Sequence, residues 1–310
     1  MNRMQTERCS SPGENQRQKA GASESVPRSE PAAAGVPGGV YLCQVNDGLS
    51  CGACCGLYNL QEADEGRLQQ MLQQRTEAFA RTPRRIEALT EFGRKIAQDL
   101  GDRPPVPGFH HCPFLGLIGE NAARVGCLLH PLGKGNDGVD FRGLSHYGGM
   151  ACRVYFCPSH ETLAPAWKRI VQKTAGDWYL YGLVITEDEL LAEFFGAIEE
   201  AIGRSLREED IAEDPVCAAA LRKFFHLKCN WPHRPRQIAG PVNYFFNDRE
   251  RTRPAVAYPP SCPRPSPYDS MLRALGSAFP AEDSLREAEQ QIRGPMLCIA
   301  ERLVDKIVWR

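Results

Sequence analysis

The sequence predicts a mainly α-helical protein with an irregular, cysteine-rich metal-binding core and little sheet. Helix-forming segments flank a region that is dense in cysteine and glycine. Only residues 242 to 246 have the β-branched and aromatic composition of a strand. Eight of the thirteen cysteines fall in the central region, at Cys43, Cys51, Cys54, Cys55, Cys112, Cys127, Cys152 and Cys157.

The composition limits the class of protein. The chain has 310 residues and a formal net charge of −1, which disfavours a broad nucleic-acid or anionic-membrane surface. No apolar run is long enough for a transmembrane helix, and the first forty residues lack the apolar segment of a secretory signal. We therefore expect a cytoplasmic protein without membrane contact. Disulfides are rare in that compartment, which favours metal ligation by the clustered thiols.

Three regions are predicted along the chain. Residues 1–39 are rich in Pro, Gly and Ser and are predicted to be a disordered tail. Residues 40–160 are predicted to form the cysteine-cluster domain, with a helical insertion at about 61–100. Residues 161–310 are predicted to be a mainly helical C-terminal region.

Several helices have recognisable ends. Residues 61–80 and 83–100 are predicted helices, and Gly101 follows the second as a helix-ending glycine would. Thr186 and Glu189 match a capping box, Asp214-Pro215 matches a helix start, and a last helix is predicted over 281–308. The helix after Asp214 is expected to bury Val216, Leu221, Phe224 and Phe225. Residues 133–149 hold six glycines and are predicted to be a flexible insertion.

The cysteine spacing is typical of metal ligation. In Cys51-Gly-Ala-Cys54, the two intervening residues allow both sulfurs to reach one ion. Side chains of adjacent residues diverge, so Cys54 and Cys55 are expected either to serve different metals or to divide between ligation and packing. Eight thiolates could form two four-coordinate zinc sites, one iron–sulfur cluster with four cysteines left over, or a multinuclear site with bridging thiolates. The sequence leaves the choice between zinc and iron open.

The order of these motifs resembles the YkgJ-type cysteine-cluster family. The motifs are Cys51-Gly-Ala-Cys54-Cys55, then Cys112-Pro-Phe-Leu, then Cys127-x-x-His130-Pro131, then Cys152-Arg-x-x-x-Cys157. The resemblance covers about residues 40–160 and implies a zinc- or iron-chelating domain. Two features depart from the family pattern. Seven residues separate Cys43 from Cys51, and a glycine-rich insertion replaces the Arg-Pro that usually precedes the Cys-Arg motif.

Two alternative functions, an enzyme and an interaction module, remain open. Related cysteine-cluster proteins are associated with flagellin lysine N-methylation, so the resemblance makes a metal- or cluster-dependent protein-modifying enzyme conceivable. The other alternative is a metal-stabilised interaction module that presents its helical C-terminal half to a protein partner. Five histidines, namely His110, His111, His130, His146 and His160, lie near the cysteines and are candidate ligands or proton carriers. No catalytic residue, substrate or partner can be named.

Overall fold

Eleven α-helices and one two-stranded sheet make up the described part of the chain, which is residues 35–102, 105, 109–235, 254–262 and 264–308 of a computed structural model. The prediction of a mainly α fold with little sheet is confirmed. The helices are α1 (Glu65–Ala80), α2 (Ile86–Asp99), α3 (Gly148–Val154), α4 (Ser159–Thr162), α5 (Pro165–Thr174), α6 (Trp178–Ile185), α7 (Asp188–Ile202), α8 (Glu208–Ala212), α9 (Pro215–His226), α10 (Asp269–Leu275) and α11 (Glu282–Val308). Strands β1 (Leu115–Ile118) and β2 (Arg124–Cys127) pair antiparallel.

Most of the predicted tail and the predicted strand at 242–246 lie outside the described residues. Residues Ala33–Arg310 belong to one compact unit. The division of that stretch at residue 160 stays a prediction. None of the helices in the described ranges is both long and apolar enough to cross a bilayer.

Two helices in the first half form where the sequence predicts them. α1 begins after Asp64, whose side chain accepts a hydrogen bond from the Arg67 amide at 3.1 Å. α2 begins at Ile86, three residues after Pro83, which therefore precedes the helix instead of forming its first turn. The hairpin of β1 and β2 was not predicted, because its glycine-containing, mostly apolar first strand lacks an alternating pattern.

Helix α6 connects the two hydrophobic cores. All eight of its residues are buried, as expected for a helix that is apolar all round. Trp178, Tyr179 and Leu183 pack into the core formed by α1, α2, the hairpin and the cysteine loops. Tyr181 and Val184 pack into the core formed by the C-terminal helices. The cysteine loops are therefore anchored on an element that the C-terminal helices hold in place.

The C-terminal helices confirm some predictions and correct others. Asp214 caps α9 as expected, and its Oδ1 accepts from the Val216 amide at 2.9 Å. Val216 itself is 48% exposed, so its predicted burial is wrong, whereas Leu221, Phe224 and Phe225 are buried. The capping box at Thr186 is also wrong. Thr186 is the C-cap of α6, and its hydroxyl donates to the Gly182 carbonyl at 3.0 Å, while α7 starts after Glu187.

The glycine-rich insertion is held by defined hydrogen bonds. The Asn136 amide is buried and donates to the carbonyls of Leu128 at 2.8 Å and His130 at 2.7 Å. Arg84, just before α2, donates through Nε to the Asn136 Oδ1 at 2.9 Å. The end of the insertion forms α3, which carries Cys152. The segment predicted as a flexible loop thus positions one of the clustered cysteines.

Candidate metal centre

Four of the eight predicted ligands line one small pocket. They are Cys43, Cys51, Cys54 and Cys157, and we call them the first set. His160 also lines this pocket. The thiols lie within electrostatic range of one another, since Cys54 and Cys157 both raise the pKa of Cys43 and of Cys51.

A tight turn brings the first two of these cysteines together. The Cys51 amide donates to the Cys43 carbonyl at 2.8 Å, and the Val45 amide donates to the Leu49 carbonyl at 3.0 Å. The seven residues between Cys43 and Cys51 thus fold back on themselves. This fold brings the backbone of Cys43 beside that of Cys51 despite the seven intervening residues.

The remaining four cysteines form a second set, Cys55, Cys112, Cys127 and Cys152. The Cys112 amide donates to the Cys55 carbonyl at 2.9 Å, and Cys127 ends β2 opposite Leu115. Cys112 and Cys127 both raise the pKa of Cys55, and Cys152 raises the pKa of both Cys112 and Cys127. The Cys152 sulfur lies 3.0 Å from the Ser145 hydroxyl oxygen.

The peptide between Cys54 and Cys55 separates the two sets. Both residues lie in a single 3-10 turn, Ala53–Cys55, that ends at Gly56 with φ of 76°. Only glycine fits at residue 56, because a Cβ there would lie 2.0 Å from the His110 carbonyl oxygen as well as requiring a left-handed backbone. This close approach brings the loop that carries Cys112 against the turn that carries Cys55.

Backbone amides point at four of the sulfurs in a repeated arrangement. Each of these sulfurs accepts a hydrogen bond from the backbone amide two residues later in the chain. The sulfur of Cys51 accepts from Ala53, that of Cys112 from Phe114, that of Cys127 from Leu129 and that of Cys157 from Ser159. Hydrogen bonds to sulfur stabilise the ionised form and tune metal–thiolate sites. Each set contains two cysteines with this feature.

Burial nevertheless makes ionisation of most of these thiols unfavourable. It raises the pKa of Cys43 and Cys51 well above the ordinary range, that of Cys127 to about 12 and that of Cys157 to about 11. Thiolates are the metal-binding form of cysteine. A cation close to these four sulfurs would favour their ionisation.

Two buried cations stand next to the two sets. Lys168 in α5 is fully buried, and its Nζ donates to the carbonyls of Gly38 at 3.0 Å and His160 at 2.5 Å. Arg75 in α1 is 3% exposed, and its Nη1 lies 2.6 Å from the His111 Nε2. Burial lowers the pKa of Lys168 and lowers that of Arg75 to about 10, while Cys157 and Cys112 respectively oppose these shifts.

Within the described ranges, neither Lys168 nor Arg75 has a carboxylate at ion-pair distance. Buried charges are normally paired, because desolvation of a lone charge costs several kcal/mol. Among the described residues, the groups whose negative charge acts on them are Cys157 for Lys168 and Cys112 for Arg75.

Three of the candidate histidines already use both ring nitrogens in hydrogen bonds. The His111 Nδ1 donates to the Gly56 carbonyl at 2.8 Å, so its Nε2 accepts from Arg75. The His110 Nε2 donates to the Cys54 carbonyl at 3.2 Å, and its Nδ1 accepts from the Tyr147 hydroxyl at 2.7 Å. His160 is bonded at both nitrogens as well. The ring nitrogens of these three histidines are thus engaged with backbone groups, with Arg75 and Tyr147 and, for His160, with the Cys157 sulfur.

His146 and His130 differ from these three. The His146 ring stacks on His110 with centroids 4.5 Å apart. The Nδ1 of His130 accepts from the Leu132 amide at 3.2 Å. Both lie beside the second set through their chain neighbours, because the His146 backbone hydrogen-bonds to the Cys112 sulfur and His130 follows Cys127.

The side chains do not by themselves form a closed coordination shell. In the described ranges, no group of three or more His, Cys, Asp or Glu side chains is arranged so that it could hold a metal ion. In each set the sulfurs therefore lie near one another but do not surround a common point. The donor chemistry fits zinc or iron, since sulfur ligands dominate and no carboxylate lines the pocket.

Sequence reasoning missed the two buried cations and the supporting role of His160. Lys168 and Arg75 lie on amphipathic helices, where a charged residue is normally solvated. Nothing in the sequence therefore indicates that these two side chains are buried. All twelve described cysteines are free thiols. Cys217 lies outside both sets and packs in the C-terminal core at 0% exposure.

Comparison of the chain with protein-family models, with curated proteins and with solved structures finds no match. The resemblance to the YkgJ-type family rests on the cysteine motifs and stays a prediction.

Proposed function

We propose that this chain is a metal-binding protein in which two sets of four cysteines each bind zinc or iron. Cys43, Cys51, Cys54 and Cys157 would hold one metal, and Cys55, Cys112, Cys127 and Cys152 would hold the other. The observation that carries the proposal is the division of eight neighbouring thiols into two groups of four at the Cys54–Cys55 peptide. Four thiolates are a complete shell for tetrahedral zinc and for one iron–sulfur cluster.

Charge balance supports the proposal. A divalent ion bound by four thiolates leaves a net negative site, which a nearby buried cation stabilises. Lys168 beside the first set and Arg75 beside the second supply that charge. Among the described residues, no carboxylate pairs with either cation, so ionised sulfurs would supply the counter-charge that buried cations ordinarily have.

The chain's own groups define what each site can do. The amides of Ala53, Phe114, Leu129 and Ser159 would orient the sulfurs and share the thiolate charge. A bound metal would supply the cation that lets the buried thiols ionise and would add its binding free energy to folding. Binding would require the sulfurs to converge further, because they do not yet form a closed shell.

The proposal places the protein in a reducing compartment, the cytoplasm being the simplest case. Twelve free thiols, nine of them only partly buried, would be prone to form disulfides or other oxidation products in an oxidising compartment.

A second candidate function is an enzyme that uses the second set in redox or methyl-transfer chemistry on a protein. The observation that favours it is the His110–His146–Tyr147 group, in which a histidine pair stacks at 4.5 Å next to a hydroxyl hydrogen bond of 2.7 Å. Such a group could carry protons at the edge of a metal site. A visible spectrum that changes on reduction would support it, and a spectroscopically silent protein with stoichiometric zinc would exclude redox use.

The proposed function is tested by removing one ligand from each set. We expect Cys157→Ser and Cys152→Ser each to lose about half of the bound metal and to unfold at lower temperature. Cys298→Ser, a partly buried cysteine of α11 outside both sets, is the matched control and should keep full metal content. Equal metal content in all three variants would contradict the proposal.

A further inference from the structure

We infer that His160 is a positioning residue for the first metal site, which donates a hydrogen bond from Nδ1 to the Cys157 thiolate. The inference rests on the proposed function and identifies a residue outside the ligand set that supports the same site. The Nδ1 of His160 lies 3.4 Å from the Cys157 sulfur, within the range of an N–H···S bond. Both residues line the pocket that contains the first set.

The other ring nitrogen fixes which atom carries the proton. The Leu42 amide lies 3.2 Å from the His160 Nε2, and a backbone amide can only donate. Nε2 is therefore unprotonated, and the neutral ring carries its hydrogen on Nδ1. That hydrogen points at Cys157. The ring is thus excluded as a ligand through either nitrogen and is left with one role toward the metal.

Neighbouring groups hold the ring in that position. The buried Lys168 ammonium donates to the His160 carbonyl at 2.5 Å, which fixes the backbone of the short helix α4. Phe156 packs edge-on against the ring with centroids 4.8 Å apart. The histidine is fully buried and cannot reach solvent to satisfy Nδ1. Cys157 therefore supplies the acceptors for Nδ1, namely its sulfur at 3.4 Å and its backbone carbonyl.

The arrangement has a chemical consequence. An N–H donor withdraws charge from a metal-bound thiolate and keeps its lone pair oriented, which stabilises the bound state. The Lys168 ammonium, which is bonded to the His160 carbonyl, adds a positive charge that also stabilises the thiolate. The first set would therefore hold its metal more tightly than four cysteines with amide donors alone.

Cobalt binding to the full chain provides the test, because cobalt–thiolate charge-transfer absorbance reports the sulfur ligands directly. His160→Asn keeps an N–H donor attached to Cγ, as Nδ1 is, whereas His160→Leu removes it. Both variants leave the Leu42 amide without its acceptor, so the pair is matched for that structural cost. We expect His160→Leu to bind cobalt at the first set about 10–100-fold more weakly than the wild type, and His160→Asn to recover most of the loss.

The outcomes separate the two proposals. A wild-type protein that binds no cobalt would overturn the proposed function. Cobalt binding of unchanged affinity in His160→Leu, or equal losses in the Leu and Asn variants, would overturn the role of His160 alone.

A measurement on the wild type covers the case in which the variants fold poorly. In the cadmium-113 protein, nitrogen NMR should show His160 protonated at Nδ1, with a scalar coupling between that proton and the metal across the Cys157 sulfur. An Nε2-protonated ring would overturn the assignment.

Discussion

The sulfurs of Cys54 and Cys55 interact across a single peptide, although the two cysteines belong to different sets. This interaction lowers the pKa of Cys54 and raises that of Cys55. Cys54 is therefore the thiol of the pair that ionises first. The two proposed metal sites would be connected through this peptide.

Substitution of these neighbours should have separable effects. We expect Cys54→Ser to lose the metal of the first set and Cys55→Ser to lose that of the second, with the double variant losing both. Cobalt titration followed by native mass spectrometry gives the number of ions bound to each variant. Loss of all metal from both single variants would indicate one multinuclear site with bridging thiolates in place of two separate sites.

Removal of the Arg75 charge should weaken metal binding more than it weakens the fold. Arg75 has the neutral His111 as its one described hydrogen-bond partner and lies near Cys112. In Arg75→Met, we expect the rise in Tm on metal addition to be smaller than in the wild type, since the negative second site loses its counter-charge. Comparing each protein with and without metal removes the packing cost from the difference. Arg94→Met, which changes an exposed arginine, should keep the full rise.

Asp140 should stabilise the fold at neutral pH and lose that effect in acid. Its carboxylate accepts from the Arg142 Nη2 at 2.7 Å and the Arg153 Nε at 2.8 Å, and these bonds, led by those of Arg142, hold its pKa below the usual range. A lowered folded-state pKa means that the unfolded chain takes up the proton first as pH falls. The stabilisation is therefore complete above the ordinary carboxylate pKa and is lost as the pH falls through the folded-state pKa.

We expect Asp140→Asn to cost about 1 kcal/mol at pH 7 and low salt, and less at high salt because the group is partly exposed. The cost should shrink steadily below about pH 4. Urea unfolding of the metal-free protein measures it without the pH dependence of metal binding. A cost that stays constant down to pH 3 would show that the ion pairs do not contribute.

Gly182 of α6 should not tolerate a larger side chain while Tyr58 is present. A Cβ at residue 182 would lie 2.2 Å from the Tyr58 hydroxyl oxygen, which donates to the Tyr179 carbonyl at 2.9 Å. We expect Gly182→Ala to cost about 1–3 kcal/mol through overpacking.

Tyr58→Phe alone should cost about 1 kcal/mol for the lost hydrogen bond. The double variant should be less destabilised than the sum, because the clashing oxygen is gone. Additive costs in thermal or urea unfolding would contradict this close approach.

The fold class and several helix ends could be predicted because their causes are local. Asp214 followed by Pro215 supplies both a capping side chain and a pre-set first turn, and α9 begins there. The β hairpin could not be predicted in the same way. The first three residues of β1 are all buried, so both faces of the strand are covered and no alternation marks it.

The partition of the cysteines could not be predicted, because it depends on tertiary placement. The sequence groups Cys152 with Cys157, only five residues apart, but the structure assigns them to different sets. α3 ends at Val154 and the chain then turns into an extended residue at Tyr155, which redirects Cys157 toward Cys43. Short spacing in the sequence is therefore a poor guide to which thiols lie close together in the fold.

The most direct measurement is metal and sulfide analysis of the wild-type protein purified without air, combined with alkylation of its thiols. The account predicts bound zinc or iron in both sets, with acid-labile sulfide if the metal is held as a cluster. Cys43, Cys51, Cys54, Cys55, Cys112, Cys127, Cys152 and Cys157 should resist alkylation in the folded protein until a chelator removes the metal. A folded, metal-free protein whose eight thiols react equally with and without chelator would contradict metal binding by the two cysteine sets.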